Sequence, residues 1–184
     1  KMHDNEFSTN TGPAAYGLLM KEVHESEVFR NSLVGNTVAI FMEGSNRSRF
    51  ENNNIIDNGW GLRIMGDCEN NTFEKNNYIN NTFDVTTNSD HSWNTFKNNF
   101  WSQYEGYDIN RDGIGDKAYR PVSLSSVIIE RVDSGFILMN SFFFKVMDSI
   151  ERTLPSLIPE PLKDESPSMK RIEIPEAKKV ESHD

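Results

Sequence analysis

A segment of about 22 residues recurs along the first part of the chain, and it constrains the fold more than any other feature. The copies contain NEFSTN, EVFRN, SRFENNN, NTFEKNNY and NTFKNNF. Each copy carries one phenylalanine at a nearly constant spacing, and these are Phe7, Phe29, Phe50, Phe73 and Phe96. An asparagine follows most of them, at Asn10, Asn53, Asn76 and Asn99. A second apolar run follows each of the first three, as YGLLM, VAIFM and GLRIM.

This period predicts an all-β, right-handed, single-stranded parallel β-helix with coils of about 22 residues in residues 1–105. Helical repeats need about 30 residues or more and an apolar period near 3.6. Leucine-rich repeats need several leucines at fixed offsets, which are absent here. In a β-helix the phenylalanines form an inner stack, and asparagine suits the turns because it tolerates left-handed backbone geometry. Neighbouring coils stabilise one another, so the ends need a cover.

The alternation of side chains along a strand orients the second apolar run of each coil. Arg63 in GLRIM is charged and is expected to face outward, with Leu62 and Ile64 facing the core. Applied to all three copies, this alignment predicts an outward column of methionines, Met20, Met42 and Met65. It places two apolar residues of the earlier copies inside, Leu19 and Phe41.

The methionine column has two interpretations. Thioethers select Cu(I), and sulfur atoms on successive coils would lie about 5 Å apart, with His24 as a further ligand. Alternatively, the methionines fill gaps in a partly buried groove. Cys68 follows three residues after Met65, where a copper ligand and a small buried thiol are both possible.

The segment DINRDGIGDKAY at residues 108–119 has the spacing of a calcium-binding loop. Calcium takes six to eight oxygen ligands, which such loops supply at alternate positions around a glycine turn. The candidate ligands are Asp108, Asn110, Asp112, the Ile114 carbonyl and Asp116. Tyr119 replaces the glutamate that ends an EF-hand loop, so a different loop type is expected. The alternative is a turn held by Asx hydrogen bonds. In either case we expect the loop to be structural. It would act as a clasp, meaning a loop that closes the end of the β-helix, because the repeat stops here.

Three segments follow the coils. Residues 106–133 are expected to form the loop-containing end cap and an extended segment, and residues 134–154 an amphipathic helix ending before Pro155. The helix is too interrupted by charge for a membrane span. It either covers the last coil or docks on another protein, through Phe136, Ile137, Phe142, Phe143, Phe144 and Met147. Residues 155–184 are rich in proline and charge and are expected to form an extended, partly disordered tail.

Composition narrows the function classes. The chain has 184 residues, 36% hydrophobic content and a net charge of −9, which disfavours nucleic-acid binding. A single cysteine excludes an internal disulfide framework. The chain opens within a polar repeat, without a signal peptide, so we expect it to be the C-terminal part of a longer protein.

The coils, the block NNFWSQYEGYDINRDGIGDKAYRP, the helix ending in RTLPSL and the segment IPEPLKDESPSM together resemble the NosD family. This resemblance implies a periplasmic β-helix protein that matures nitrous-oxide reductase. It implies copper, held transiently as Cu(I), and three partners. These are an ABC-type permease with a cytoplasmic ATPase, a copper chaperone lipoprotein and the reductase. Contact with the membrane is then expected only through the permease.

A polysaccharide-binding or polysaccharide-cleaving β-helix is the alternative. Such enzymes need carboxylates, or a basic residue with acids, on one face of a sheet. The candidates are Arg47, Arg49, Arg63, Asp67, Lys75 and Asp84, and they do not recur in one column. Glu51, Glu74 and Lys97 align but favour charge pairing on a solvated face. We therefore predict a non-enzymatic, copper-handling accessory protein.

Overall fold

The structure is a computed structural model, and it describes residues 1–89, 93–123, 125–127, 146 and 162–174. Short strands dominate these ranges. In chain order they are β1 Met2–His3, β2 Glu6–Ser8, β3 Tyr16–Lys21, β4 Glu27–Phe29, β5 Ser32–Val34, β6 Val38–Glu43, β7 Arg49–Glu51, β8 Asn54–Ile56, β9 Trp60–Ile64, β10 Thr72–Glu74, β11 Asn77–Ile79, β12 Phe83–Thr87, β13 Thr95–Lys97 and β14 Phe100–Trp101.

The strands form three parallel sheets, each of which takes one strand from every coil. Sheet A has the order β1-β4-β7-β10-β13, sheet B has the order β2-β5-β8-β11-β14, and sheet C has the order β3-β6-β9-β12. Each strand pairs with the strand three places later in the sequence, which is the connectivity of a chain winding around one axis. The predicted parallel β-helix is therefore confirmed, with about four coils.

The predicted aromatic stack is confirmed for three of its five members. Phe50, Phe73 and Phe96 pair in register in sheet A, and their ring centroids are 4.7 Å apart at each step. The equivalent residue of the preceding coil is Val28, which pairs with Phe50. Phe29 is therefore one residue out of register, and its ring stacks on His3 instead.

The prediction that Phe7 belongs to the same stack was wrong. Phe7 lies in sheet B, where it pairs with Leu33. Phe7 and Leu33 are 26 residues apart, and so are Asn10 and Asn36, which bond to each other in the turn that follows β2. After β3 the separation between equivalent residues of the first two coils is only 22 residues, since Val23 bonds to Ser45. The first coil thus holds an insertion between β2 and β3, which shifted the alignment of the first repeat.

Asparagine ladders line the corners between the sheets. The first ladder contains Asn31, Asn53, Asn76 and Asn99, and the second contains Asn10, Asn36, Asn58 and Asn81. Asn53 shows the pattern: its side-chain oxygen accepts bonds from the main-chain N–H and the amide of Asn31 at 3.0 and 3.1 Å. Its own amide donates to the Val28 carbonyl at 2.9 Å. Buried amides that are bonded on both sides hold the coils in register.

The tail returns to the end of the β-helix. Leu162 is 1% exposed and packs in the core. Asp164 forms a bridge with Phe96, and Ser168 forms one with Phe100, so this segment continues sheets A and B beyond the last coil. Residues 162–174, which belong to the segment predicted as an extended, partly disordered tail, are therefore docked on the end of the β-helix. Residues 125–127 are helical rather than extended.

The predicted helix at residues 134–154 lies outside the described residues except for Val146, which is helical. The six apolar residues proposed for partner docking also lie outside them. Within the described part of the chain, no helix has the length and hydrophobicity needed to cross a membrane.

Candidate functional site

Sheet C was predicted to carry the copper-binding methionines on its outer face, and this orientation was wrong. Met20 and Met42 are 4% and 0% exposed and belong to the hydrophobic core. Met42 pairs with Ile64 rather than with Met65. The half-buried Met65 therefore lies one position beyond the column. Two thioethers face the core and the third is displaced, so they form no shared surface site.

A single additional residue explains the error. Between the second and third coils, Asn36 bonds to Asn58 at a separation of 22 residues, and the pairing of Met42 with Ile64 keeps this offset. Beyond sheet C the offset is longer, since Ser45 bonds to Cys68 at a separation of 23 residues. The extra residue thus enters after Ile64, in the turn that follows β9. The alignment of Met42 with Met65 was correct only if the extra residue entered earlier in the coil. Because side chains alternate along a strand, this error of one residue exchanged the two faces of the strand.

The prediction that Arg63 faces outward holds. Arg63 pairs in register with Phe41 on one side and Thr86 on the other, and Phe41 in turn pairs with Leu19. Leu19 is 48% exposed, so the prediction that Leu19 and Phe41 face the core was wrong. The guanidinium of Arg63 lies 5.6 Å from the ring centroid of Phe41 and 5.7 Å from that of Trp60. The outer face of sheet C therefore carries a cation–π cluster in place of sulfur ligands.

The other candidate copper ligands lie apart. His24 is exposed and forms a bridge with Asn46 in the turn after sheet C. Cys68 is 2% exposed, and its sulfur accepts a hydrogen bond from the Ser45 N–H at 3.4 Å. Burial raises the pKa of the Cys68 thiol to about 11. Among the described residues, no three His, Cys, Asp or Glu side chains form a group able to hold a metal ion.

The acidic loop folds around its own backbone. Asp108 accepts hydrogen bonds from the N–H groups of Asp112 and Gly113 at 3.2 and 2.9 Å. Asp112 accepts one from the Ile114 N–H at 2.8 Å and another from the Asn110 amide at 2.9 Å. These are Asx-type bonds, which also order calcium loops. The carboxylates contact N–H groups of the loop itself.

Asp116, the last candidate oxygen donor, closes the loop from the other side. Its side chain accepts a hydrogen bond from the Ile109 N–H at 2.6 Å, and its N–H donates to the Tyr107 carbonyl at 2.8 Å. The fold of the loop fits the predicted clasp, because both of its ends are bonded to each other.

The tail binds directly to this loop, which the sequence did not indicate. The Gly115 N–H donates to the Pro167 carbonyl at 2.8 Å, and the Met169 N–H donates to the Gly113 carbonyl at 2.9 Å. Further along, the Asn77 amide bonds to both main-chain groups of Ile172 at 2.9 Å. Charged and apolar residues alternate in the sequence RIEI at 171–174, and this period of two was the available signal for a strand-like segment. The burial of these residues alternates in the same way.

Asp164 is a buried residue of the cap whose role sequence reasoning missed. It is 0% exposed, and its Oδ2 atom accepts hydrogen bonds from the Asn99 N–H, the Asn99 amide and Trp101 Nε1 at 3.0, 3.0 and 3.1 Å. Its Oδ1 atom accepts one from the Ser166 N–H at 3.1 Å. It continues the first asparagine ladder from a position 65 residues away along the chain.

Two of the six acid and base candidates of the enzyme hypothesis, Arg47 and Arg49, lie in ion pairs, as do the aligned Glu51, Glu74 and Lys97. Arg49 contacts Glu51 at 3.1 Å and Glu74 at 3.0 Å, and Lys97 contacts Glu74 at 3.4 Å. Arg47 contacts Glu25 at 3.1 Å, on another part of the surface. Asp84 is buried and lies inside the β-helix, away from these groups.

The family model NosD, described as a periplasmic copper-binding protein, matches residues 1–106, which are the coils and their immediate end. A protein of Stutzerimonas stutzeri named "Probable ABC transporter binding protein NosD" is 26% identical over 159 residues, which cover 84% of this chain and 36% of that protein. A protein of Pseudomonas aeruginosa with the same name is 26% identical over 172 residues, covering 84% and 40%. The chain spans less than half of the length of these curated relatives.

Proposed function

The chain belongs to the NosD family of periplasmic copper-binding proteins, and on that premise we propose that it handles copper during assembly of the copper sites of nitrous-oxide reductase. The observation that carries this proposal is the family match over residues 1–106, the same residues that form the parallel coils. Copper is the cargo in this proposal, accepted transiently as Cu(I). The protein acts in the periplasm and catalyses no reaction itself, consistent with relatives that are named as binding proteins.

Three partners belong to the proposal. The relatives are named as ABC transporter binding proteins, which supports docking on an ABC-type permease driven by a cytoplasmic ATPase. A copper chaperone lipoprotein would deliver the metal, and nitrous-oxide reductase would receive it. Docking on the permease is assigned to the segment 134–154, through its apolar residues Phe136, Ile137, Phe142, Phe143, Phe144 and Met147.

A rigid rod suits this role. Each coil is bonded to the next through parallel strands and buried asparagine amides, so a tilt applied at one end is transmitted to the other. The docked tail and the acidic loop join the last coil to the segment that leads toward residues 134–154. Movement of the permease would therefore reorient the whole β-helix.

The predicted copper ligands do not fit a common site on this chain. The thioethers of Met20 and Met42 are enclosed in the core, and we do not propose them again as ligands. His24 and Met65 remain candidate surface contacts, each acting separately, because they lie two coils apart, or about 10 Å along the axis. No step of copper transfer is assigned to them.

Calcium is a separate, structural proposal. The oxygen donors of Asp108, Asn110, Asp112, Ile114 and Asp116 are of the type that calcium takes, and the loop carries the required glycine at Gly113, with φ +86°. The carboxylates would have to turn from the N–H groups that they now contact toward the ion. Calcium would then strengthen the clasp between the loop and the tail.

Copper content of the reductase tests the proposed function. A strain that lacks its own NosD is complemented with the gene that encodes this sequence, and the purified nitrous-oxide reductase is assayed for copper. We expect copper to be restored, and the tagged protein to co-purify with the permease. Substituting Phe142, Phe143 and Phe144 with serine should abolish co-purification. A reductase that remains copper-free beside a stably produced protein would refute the proposal.

A further inference from the structure

A carboxyl group is buried at the closed end of the β-helix. Asp84 of β12 is 3% exposed. It pairs in the register of sheet C with Gly61, and the earlier coils carry Ala39 and Gly17 in this column. A Cβ atom at Gly61 would lie 2.8 Å from the Asp84 carbonyl, so the column permits only small residues until the last coil. The ionisable residue of this column stands in its last coil.

The described hydrogen bonds satisfy this carboxyl only in part. The Asn81 amide donates to Oδ1 at 3.1 Å, and the Tyr119 hydroxyl donates to Oδ2 at 3.5 Å. An ionised carboxylate has about four acceptor positions, and burying it with weak partners is costly. Burial therefore raises the pKa of Asp84 to about 6. By contrast, the other buried carboxylate of this region, Asp164, accepts four hydrogen bonds.

The titratable groups that face Asp84 come from three elements. Tyr78 of β11 is fully buried, and burial together with the charges of Asp84 and Asp164 raises the pKa of its hydroxyl well above the usual range. Tyr119 belongs to the end cap, and its ring lies 5.2 Å from that of Trp101, which stacks on Tyr78 at 4.2 Å. Asp164 belongs to the tail. The Tyr119 hydroxyl donates to Asp84 and so favours the carboxylate, but the loss of hydration on burial outweighs this hydrogen bond, and the net effect favours the protonated form of Asp84.

The cap depends on Tyr119 and Asp164 together. The Tyr119 N–H donates to the Asp164 carbonyl, and the Asp164 N–H donates to the Tyr119 carbonyl, both at 2.9 Å. If this pair leaves the end of the β-helix, Tyr119 no longer covers Asp84, and water reaches the carboxyl. The opened form therefore accommodates the carboxylate, and the closed form favours the acid.

We propose that Asp84 is a proton switch for the end cap: with Asp84 protonated, Tyr119 and the tail stay docked on the last coil, and ionisation of Asp84 loosens them. Because the closed cap raises the pKa of Asp84 from 3.8 to about 6, its stabilisation is complete below about pH 4 and is lost as the pH rises through 6. The difference is about two pKa units, and each unit is tenfold, so opening should increase roughly a hundredfold between pH 4 and pH 8.

Hydrogen exchange of the cap amides tests the switch. Exchange at the N–H groups of Tyr119 and Asp164 is measured in the whole chain between pH 4 and pH 8, for the wild type and for Asp84→Asn. The ratio of the two removes the intrinsic pH dependence of exchange. We expect the wild type to lose protection relative to D84N as the pH rises. The exposed Asp57→Asn, in the bend between β8 and β9, serves as the matched control and should behave as the wild type.

Two results would overturn the proposal. One is a ratio that does not change with pH. The other is a change that spreads equally to core amides such as that of Phe73, because the effect would then be global rather than local to the cap. If D84N does not fold, carbon-13 titration of the Asp84 carboxyl in the wild type decides instead: a midpoint near 6 supports the switch, and one below about 4.5 refutes it.

Discussion

The Oδ2 atom of Asp164 accepts hydrogen bonds from both the main-chain N–H and the side-chain amide of Asn99, each at 3.0 Å. Each internal asparagine of the ladder both accepts from one coil and donates to another. A carboxylate accepts and donates nothing, so it ends the ladder without leaving a buried amide N–H unsatisfied. The tail of the chain thus terminates the repeat of the coils.

The substitution Asp164→Ala should lower the free energy of unfolding by about 3 kcal/mol or more. Buried N–H groups of Asn99 and Trp101 would lose their acceptor, and each unsatisfied buried donor costs about 1–3 kcal/mol. Urea unfolding followed by tryptophan fluorescence measures the loss. Asp164→Asn is the matched control: it keeps one acceptor oxygen and should cost about 1 kcal/mol. Equal losses in both variants would show that the charge, and not the acceptor, matters.

The sequence predicted the coils and the stack of Phe50, Phe73 and Phe96 because a constant step keeps the same side chain on the same sheet. It failed where the step changed. An insertion in the first coil placed Phe7 in another sheet, and one extra residue after Ile64 put Met65 out of register with Met20 and Met42, which face the core. A period of two along each strand leaves no tolerance for a slip of one residue.

The closure of the β-helix could not be predicted for a different reason. Asp164 and Asn99 are separated by 65 residues, and the tail does not repeat the pattern of the coils. A proline-rich, charged segment has the composition of a free arm when it is considered alone. Its docking depends on pairing with an edge that exists only after the coils have formed, and local sequence carries little information on such pairing.

Truncation of Met42 should be costly and its replacement by leucine should not. Met42 is 0% exposed, so Met42→Ala removes core volume and should cost about 2–5 kcal/mol, whereas Met42→Leu should cost less than about 1.5 kcal/mol. Denaturant midpoints measure both. The half-exposed Met65→Leu is the control, with a change within about 0.5 kcal/mol.

Copper titration then separates the core role of the methionines from the ligand role. Cu(I) is titrated against a competing chelator for the wild type, for Met20→Leu with Met42→Leu, and for Met65→Leu with His24→Asn. We expect the double core variant to bind as the wild type does, because its thioethers are enclosed. A loss of binding in that variant alone would mean that Met20 and Met42 reach the metal after all.

Cys68 should be inert in the folded chain. Its thiol is 2% exposed, and burial raises its pKa to about 11, so the reactive thiolate is scarce at pH 8. Because the folded state favours the protonated thiol, Cys68 contributes to stability below the usual thiol pKa near 9. This contribution is lost only as the pH rises toward 11, so Cys68 should not change the stability between pH 6 and pH 8.

Maleimide labelling followed by mass spectrometry measures the accessibility of this thiol. We expect no modification of Cys68 in buffer and complete modification in urea. The exposed position of β2 supplies the control, because Ser8→Cys should label rapidly in the folded state. Rapid labelling of Cys68 under native conditions would contradict its place in the core.

Removing Asp108 should release the tail. Asp108 holds the Gly113 N–H at 2.9 Å, and the Gly113 carbonyl in turn accepts the Met169 N–H at 2.9 Å. In Asp108→Ala the loop loses two acceptor bonds, worth about 1 kcal/mol each, and the tail loses its support. Cleavage by trypsin after the exposed Lys170 and Arg171 should accelerate several-fold. Glu105→Ala, which removes an exposed charge from the same segment, should leave cleavage unchanged.

Calcium should oppose that release. Bound at Asp108 and its neighbours, it would stabilise the fold by about 2.7 kcal/mol at a concentration a hundred times its dissociation constant, and raise the Tm by roughly 5–10 °C. Melting of the wild type and of Asp108→Ala in calcium and in chelator measures this. The rise should occur in the wild type and vanish in the variant. Identical melting of the wild type in both buffers would leave the loop as a turn held by its Asx hydrogen bonds alone, because an ion that binds only the folded state must raise its stability.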